Sequence, residues 1–445
     1  MANELFEKAP IHKAYLKLAI PVVLSMVVQL VYSMVDTYFI ALTGNTALIA
    51  GVSICTPLFT MFLAFGDMFA LGGSSVISRF LGAGRGEDGK RLSVFCVYAS
   101  IIFGIFVTVI LLAAQSRLLV FLGADNTSYE YASQYYRYIV LGCTFIIFSL
   151  IPSNLLRAVG HPNASMITSI LGAVVNMILD PILIFGLSLG AKGAAIATII
   201  GYICSSIYAV WYIATRCEAL SVNPKDFGIK KEELGMILAV GLPASVTNFT
   251  QTVGMTLTNR NLSVYGSDAI AVMGIVLKIV NIVMLVIVGL AFGGQPLTGF
   301  VYGSGNKARL KKVLAFAYKI VGGVGFVLAA VLAIIANPLL QLFLQEKELV
   351  DMGTIMLRLQ MPCMVLMGFG LVTTCTFQSM GKGLPALILS LCRQGIVYAV
   401  VIKVFSVLFG YYGVISSQLG ADVISVVIAV ILFIIVIKPE IAENK

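Results

Sequence analysis

Four polar side chains stand in apolar surroundings with types and spacings suited to ion chemistry. Asp36 lies in VYSMVDTYFIA and Asp180 in NMILDPILIFG. Asn176 is one helical turn before Asp180, on the same face. Thr198 follows in GAAIATIIG. Ionisable groups inside a bilayer are costly, so each is a functional candidate. Two carboxylates, an amide and a hydroxyl at one depth make an oxygen cage for a small hard cation such as Na+, with Asp36 and Asp180 as the metal ligands. The same set suits a proton, because a close pair of carboxyl groups titrates as a unit. The residues leave both alternatives open.

The elements that position these groups are apolar helices. Hydrophobic residues make up 59% of the 445, charged residues 11%, and the mean hydropathy is +1.01. Soluble domains are nearer one quarter charged. The apolar runs, at roughly 20 residues each, are long enough to cross a hydrocarbon core about 30 Å thick. The predicted spans are 17–41, 48–75, 92–114, 133–156, 164–187, 193–215, 236–259, 270–298, 313–336, 354–380, 384–409 and 412–437. At 1.5 Å per residue, Asp36 is roughly 29 Å along the first span and Asp180 roughly 24 Å along the fifth. Both spans run outward, and Thr198 is near the outer start of the sixth. The three segments therefore bring their oxygens to the outer half of the membrane.

The second half of the chain repeats the first. The stretch 18–47 aligns with 240–269, pairing Pro21 with Pro243 and Gly44 with Gly266. The stretch 72–91 aligns with 293–312, pairing Gly72, Gly73, Gly82 and Gly84 with Gly293, Gly294, Gly303 and Gly305. Such duplication marks transporters whose substrate path runs between repeats. The fold class expected is an all-α integral membrane protein with twelve transmembrane helices in two parallel six-helix lobes. The N-terminal, cation-coupling lobe covers 1–215 and the C-terminal lobe 236–445. The charged, Pro-bearing segment 216–235 links them.

Charge placement orients the chain. Lys8, Lys13, Lys17, Arg79, Arg85, Lys90, Arg91, Arg157, Arg216, Lys230, Lys307, Lys311, Lys312, Lys382 and Lys438 fall at the N-terminus or in loops after even-numbered spans. The other loops hold Arg117, Lys192, Arg260 and Lys347. The positive-inside rule then places both termini in the cytoplasm and the protein in the inner, cytoplasmic membrane. The net charge of +9 thus reflects topology, and no nucleic-acid partner is expected. The polar N-terminus carries no cleavable leader pattern.

Other polar residues have weaker readings. The second half is expected to lack acids deep in its helices, with Thr258 standing where the first half has Asp36. The seventh span offers Asn248, Gln251 and Met255 to a substrate by hydrogen bonds and flexible apolar contact. Lys278 either snorkels outward or faces a cavity. Asp67 suits gating or packing. Arg393 and Lys403 read as end anchors or inter-helix donors. The eight cysteines form no CxxC pair and suit apolar packing. The Gly-rich turns after the second and eighth spans lack the GKS or GKT ending of a phosphate loop. No nucleophile elbow, His–Glu metal motif or His-based dyad lies in the spans, so no enzyme is expected.

The Asp in the first span, the N-x-x-x-D-P turn of the fifth and the R-A-V-G-H-P turn after the fourth resemble multidrug and toxic compound extrusion transporters. The likeness runs over essentially the whole chain, and is nearest the bacterial and archaeal branches with a cation site in the N-terminal lobe. It implies that Asp36, Asn176, Asp180 and Thr198 hold the coupling ion, and that Gln29, Tyr32 and Asn154 stand nearby. Some branches carry an acid in the seventh span where this chain has Gln251, so a C-lobe cation site of that kind is not expected. The resemblance implies export of lipophilic organic cations in exchange for Na+ or H+, with no cofactor. Membrane lipids and a small organic substrate are the expected partners, and a monomer is the expected functional unit. The rival reading is a lipid-linked oligosaccharide flippase of the same superfamily.

Overall fold

A computed structural model of the chain describes residues 4–124 and 127–442, with all of their side chains except Thr252 and Ser267. Among the described residues every regular element is helical. In order these are α1 (Ile11–Leu42), α2 (Thr46–Ile54), α3 (Thr56–Gly82), α4 (Gly86–Ala113), α5 (Gln115–Phe121), α6 (Tyr129–Leu141), α7 (Cys143–Ala158), α8 (Pro162–Pro181) and α9 (Ala191–Arg216). The second half continues with α10 (Lys231–Leu262), α11 (Ser267–Gly303), α12 (Lys307–Gln341), α13 (Lys347–Ser379), α14 (Gly383–Gln394), α15 (Ile396–Leu432) and α16 (Lys438–Ile441).

The twelve expected spans map onto these helices, some of them broken. Among the described residues, nine helical runs are long and apolar enough to cross a membrane, and the α6–α7 pair, bent by 46° about Gly142, adds a tenth. A Cβ on Gly142 would stand 2.2 Å from the Ile199 side chain, so the bend keeps room for α9. The 59-residue run Gly383–Ile441 passes as one piece but turns at Gly410, whose φ of +56° separates the eleventh span from the twelfth. The seventh span, α10, is continuous but less apolar because of its Thr, Asn and Gln residues.

Two compact units emerge, and their boundaries fall inside helices. One comprises 24–245, and the other 4–23 with 246–442. They differ from the expected lobes at α1 and α10, each of which contributes its first half to one unit and its second half to the other. The break points, 24 and 246, are repeat counterparts, each three residues beyond Pro21 or Pro243.

Within the first unit, α3 meets the first half of α10 at backbone distance. A Cβ on Gly72 would lie 2.4 Å from the Ile237 carbonyl oxygen, and one on Gly241 would lie 1.9 Å from that of Met68. Within the second unit, α11 meets the first half of α1 in the same way, with a Cβ on Gly293 lying 2.3 Å from Ala19 Cα. Lipid tails are as apolar as leucine, so membrane helices associate through close packing and hydrogen bonds. That explains why Gly72 and Gly293 occupy matching places in the repeat. The outward faces carry exposed Phe106, Ile334 and Val407, as contact with acyl chains requires.

Each unit also holds the segment that precedes its guest helix. The 216–230 stretch is packed onto the first unit: Cys217 and Leu220 are buried in its core. Ser93 Oγ donates to the Ser221 carbonyl at 2.9 Å and Tyr98 to that of Val222 at 3.1 Å. Arg91 pairs with Glu233 at the start of α10. In the second unit, Phe6 packs on Phe300 with centroids 4.9 Å apart. Tyr15 donates to the Leu290 carbonyl at 2.9 Å and Arg309 to that of Ala9 at 2.8 Å.

Candidate cation and substrate site

The site in the first unit is built from residues at helical spacing. On α1, Gln29, Tyr32 and Asp36 recur at intervals of three and four. On α8, Thr168, Gly172, Asn176 and Asp180 recur at four, and α9 adds Thr198, Gly201, Tyr202 and Ser205. Each set lies along one helix face.

The helices are close enough for these faces to touch. A Cβ on Gly201 would stand 2.6 Å from the Gly172 carbonyl oxygen. One turn further along, Asn176 Nδ2 donates to Thr198 Oγ1 at 3.2 Å, and Thr198 donates to the Ala194 carbonyl at 3.0 Å. The carboxyl groups of Asp36 and Asp180 face each other within hydrogen-bonding reach. Asp180 is fully buried, and neither of its oxygens accepts an N–H or O–H from the described residues. Asn176 Oδ1 is also buried without a donor. Among the described residues no Lys, Arg or His forms an ion pair with either Asp. Two facing carboxyl groups with no basic partner need a cation or a shared proton between them.

The helix widens where the acid sits. Pro21 and Pro152 lie inside continuous helices, whereas α8 ends at Pro181 and continues as a π-turn over Ile182–Gly186. Proline lacks the N–H that would close the preceding turn, so the backbone is irregular beside Asp180. Such irregularity at membrane depth is tolerated where it is buried in protein or lines a cavity.

A cavity of about 240 Å³ is lined by the same faces of α1, α8 and α9. Its polar lining includes Gln29, Tyr32, Ser149, Ser153, Thr168, Ser169, Asn176, Thr198, Tyr202 and Ser205. Tyr32 is within hydrogen-bonding reach of Thr198 and electrostatically close to Asp36 and Tyr202. The structure thus gathers Asp36, Asp180, Asn176, Thr198, Tyr32 and Gln29 into one region. Asn154 is engaged within α7, next to the cavity-lining Ser153: its amide donates to the Leu150 carbonyl at 2.8 Å and its carbonyl accepts from Arg157. Asn248, Gln251, Met255 and Lys278 belong to the second unit, with Met255 and Lys278 exposed.

Sequence reasoning missed two tyrosines. Tyr135 on α6 is electrostatically close to both Asp36 and Asp180, and Tyr202, which lines the cavity, is close to Tyr32 and Tyr135. Tyr202 was findable as the i+4 neighbour of Thr198. Tyr135 arrives from a helix with no other site residue and gave no such signal.

The expectation that the second half lacks deep acids is corrected by Asp422 on α15, 1% exposed. Its Oδ1 accepts from Arg393 Nε and from Gln418 Nε2, both at 3.1 Å. Arg393 is therefore an inter-helix donor rather than an end anchor.

An all-helical membrane protein of twelve spans in two lobes, with a half-buried and a fully buried acid paired in one of them, belongs to the class of secondary transporters. The MatE family profile matches residues 21–182 and 243–405, one stretch in each repeat. The chain belongs to that family and is a multi-pass multidrug efflux transporter. It is 31% identical over 417 residues to the multidrug export protein MepA of Staphylococcus aureus (strain MRSA252), covering 94% of this chain and 92% of that one. MepA of Staphylococcus haemolyticus (strain JCSC1435) is 32% identical over 424 residues, covering 95% and 93%. Among solved structures, MATE in the straight conformation superposes with a TM-score of 0.92 at 26% identity, covering 99% of this chain and 98% of the other. A MOP superfamily transporter from Pyrococcus furiosus, described as having a binding pocket of reverse polarity, superposes with a TM-score of 0.90 at 25% identity, covering 99% of each chain.

Proposed function

We propose that this transporter is an antiporter of the cytoplasmic membrane, exporting lipophilic organic cations in exchange for Na+ or H+, with both termini in the cytoplasm. The carrying observation is the Asp36–Asp180 pair: two facing carboxyl groups with no basic partner and two buried oxygens without a donor. A cation of either kind satisfies them. Asn176 and Thr198 line the polar cavity, and Asn176 Oδ1 is free to complete an oxygen cage.

Coupling requires that the ion bind two states of the protein with different affinity. Alternating access of the two lobes supplies the states: ion binding at Asp36 and Asp180 favours the state that releases substrate outward. The membrane potential contributes about 2.3 kcal/mol per charge per 100 mV.

The test is export of a fluorescent lipophilic cation from oriented vesicles, with Na+ and H+ gradients imposed separately, for the parent and Asp36→Asn. Export driven by one gradient and lost in the variant supports the reading and names the ion. Export that ignores both gradients, or that survives the substitution unchanged, refutes the coupling site and moves the lipid-linked oligosaccharide flippase to first place.

A further inference from the structure

The Arg393–Asp422 pair of the second unit is not accounted for by ion coupling at Asp36 and Asp180. Counting along the helices, Arg393 is roughly 15 Å from the start of α14 and Asp422 roughly 18 Å past the turn at Gly410, so both lie near mid-membrane. An ion pair at that depth is expensive and is kept for a reason.

Three features set the pair apart from a packing device. Asp422 is 1% exposed, yet only its Oδ1 is engaged; Oδ2 is buried with no partner among the described residues. Ser425 Oγ, one turn along the same helix, is likewise buried without a partner. The helix carrying the arginine breaks two residues later, at Gly395, whose φ of −108° and ψ of −114° are non-helical. Broken helices at the bilayer midplane are where transporters build binding sites.

The charges specify the ligand. With Arg393 positive and Asp422 negative, the resting pair is neutral. A metal cation would leave a net positive charge in the lobe interior, and a buried uncompensated charge is strongly disfavoured. Asp422 is closed off, whereas the Arg393 side chain remains 23% exposed and engages Asp422 through Nε. Its two terminal nitrogens form a planar fork that matches a carboxylate bidentately. A partly exposed guanidinium at this depth is directed to the bundle interior or to water rather than to acyl chains.

We propose that Arg393 receives the carboxylate of an acidic or zwitterionic organic substrate, with Asp422 as its resting counter-ion. This rests on the export reading and extends it to a substrate class. When the substrate carboxylate takes the guanidinium, Asp422 gains one proton from water on its free Oδ2. One negative charge and one proton enter together, so the site stays neutral. The groups around Asp422 are Arg393 from α14, Cys363 from α13, and Tyr398 and Gln418 from α15. Tyr398 is itself held by Thr258 of α10, with 2.5 Å between the hydroxyl oxygens.

The experiment is equilibrium binding to the purified full-length transporter of two dyes that differ by one group. Rhodamine 110 carries a free carboxylate, and rhodamine 123 is its methyl ester. Arg393→Gln alone would strand Asp422, so the double variant Arg393→Gln/Asp422→Asn, which removes both charges, carries the test. The expected result is an affinity for rhodamine 110 lower by about tenfold or more in the double variant, with rhodamine 123 within about twofold of the parent. In weakly buffered solution the parent takes up about one proton per rhodamine 110 bound and none with rhodamine 123, as the charge balance requires. A double variant that keeps the parent's ratio between the dyes overturns the subsite, as does one that loses both dyes equally while the parent binds them. A parent that binds neither dye overturns the export reading along with the subsite.

Discussion

Gly172 and Gly201 hold α8 and α9 at backbone contact. A Cβ on Gly201 would stand 2.6 Å from the Gly172 carbonyl oxygen, and one on Gly172 would stand 3.0 Å from that of Gly201. The contact is what allows Asn176 to reach Thr198 one turn away, at 3.2 Å. Gly201→Val is expected to separate the helices at a cost of about 1–3 kcal/mol, the usual penalty of overpacking. Gradient-driven export falls with it, because the polar contact beside the acids opens. Thermal unfolding and vesicle export on the same preparation check both effects, and a variant with parental values in each refutes the assignment.

The proposed coupling site requires Asp36 and Asp180 to act as one unit. Asp36→Asn and Asp180→Asn are each expected to abolish uptake of the coupling ion, and the double variant is expected to do no worse than either. Ion binding is read by isothermal titration with Na+, and by proton uptake after a pH jump. If one single variant keeps the parental stoichiometry, the acids bind independently and the pair is not the site.

Thr198 orders the site without carrying charge. Thr198→Ala removes the acceptor of the Asn176 amide and the partner within reach of Tyr32. Losing a buried hydrogen bond of this kind costs about 0.5–1.5 kcal/mol, so ion affinity is expected to fall up to about tenfold. Thr198→Ser, which keeps the hydroxyl, restores most of it. Equal losses in the two variants assign Thr198 to packing instead.

Much of this architecture is legible in the sequence, and the reasons differ from place to place. The repeat is legible because its glycines do physical work at matching positions: Gly84 and Gly305 turn with φ of +74° and +71°, and Gly72 and Gly293 admit a neighbouring backbone. The meeting of Asp36 with Asp180 follows from depth alone, since a helix rises by a fixed amount per residue. Asp422 escaped because the repeat offers no acidic cue: counted from the matching turns at Gly190 and Gly410, with φ of +53° and +56°, its counterpart in the first half is Tyr202. Depth would have found it beside Arg393. The unit boundaries at 24 and 246 lie within unbroken α1 and α10. Linker composition marks a flexible connection, and here the charged segment 216–230 is instead bound to α4 through Ser93 and Tyr98.

The ion pair between Arg91 and Glu233 fastens the first turn of α10 to α4. Glu233 is 2% exposed, and its other carboxylate oxygen accepts from the Lys230 backbone at 2.8 Å. Arg91→Ala leaves that carboxylate buried with its cation removed. A destabilisation of about 1–3 kcal/mol is expected. Adding Glu233→Gln to the same chain recovers part of the loss, because the uncompensated charge is gone. Melting temperatures of the parent, the single and the double variant decide it: additive losses show that the two residues are not coupled.

The first residues of the chain stabilise its second unit. Phe6 is fully buried against Phe300, and the Ala9 carbonyl accepts from Arg309. Phe→Ala in a packed core costs about 3–5 kcal/mol, so Phe6→Ala is expected to weaken the unit that contains 246–442 while sparing 24–245. Hydrogen exchange resolved by peptide is the measurement. Faster exchange in α11 and α12, with α3 and α4 unchanged, supports the assignment of 4–23 to the second unit. Faster exchange in α3 and α4 instead places that segment with the first.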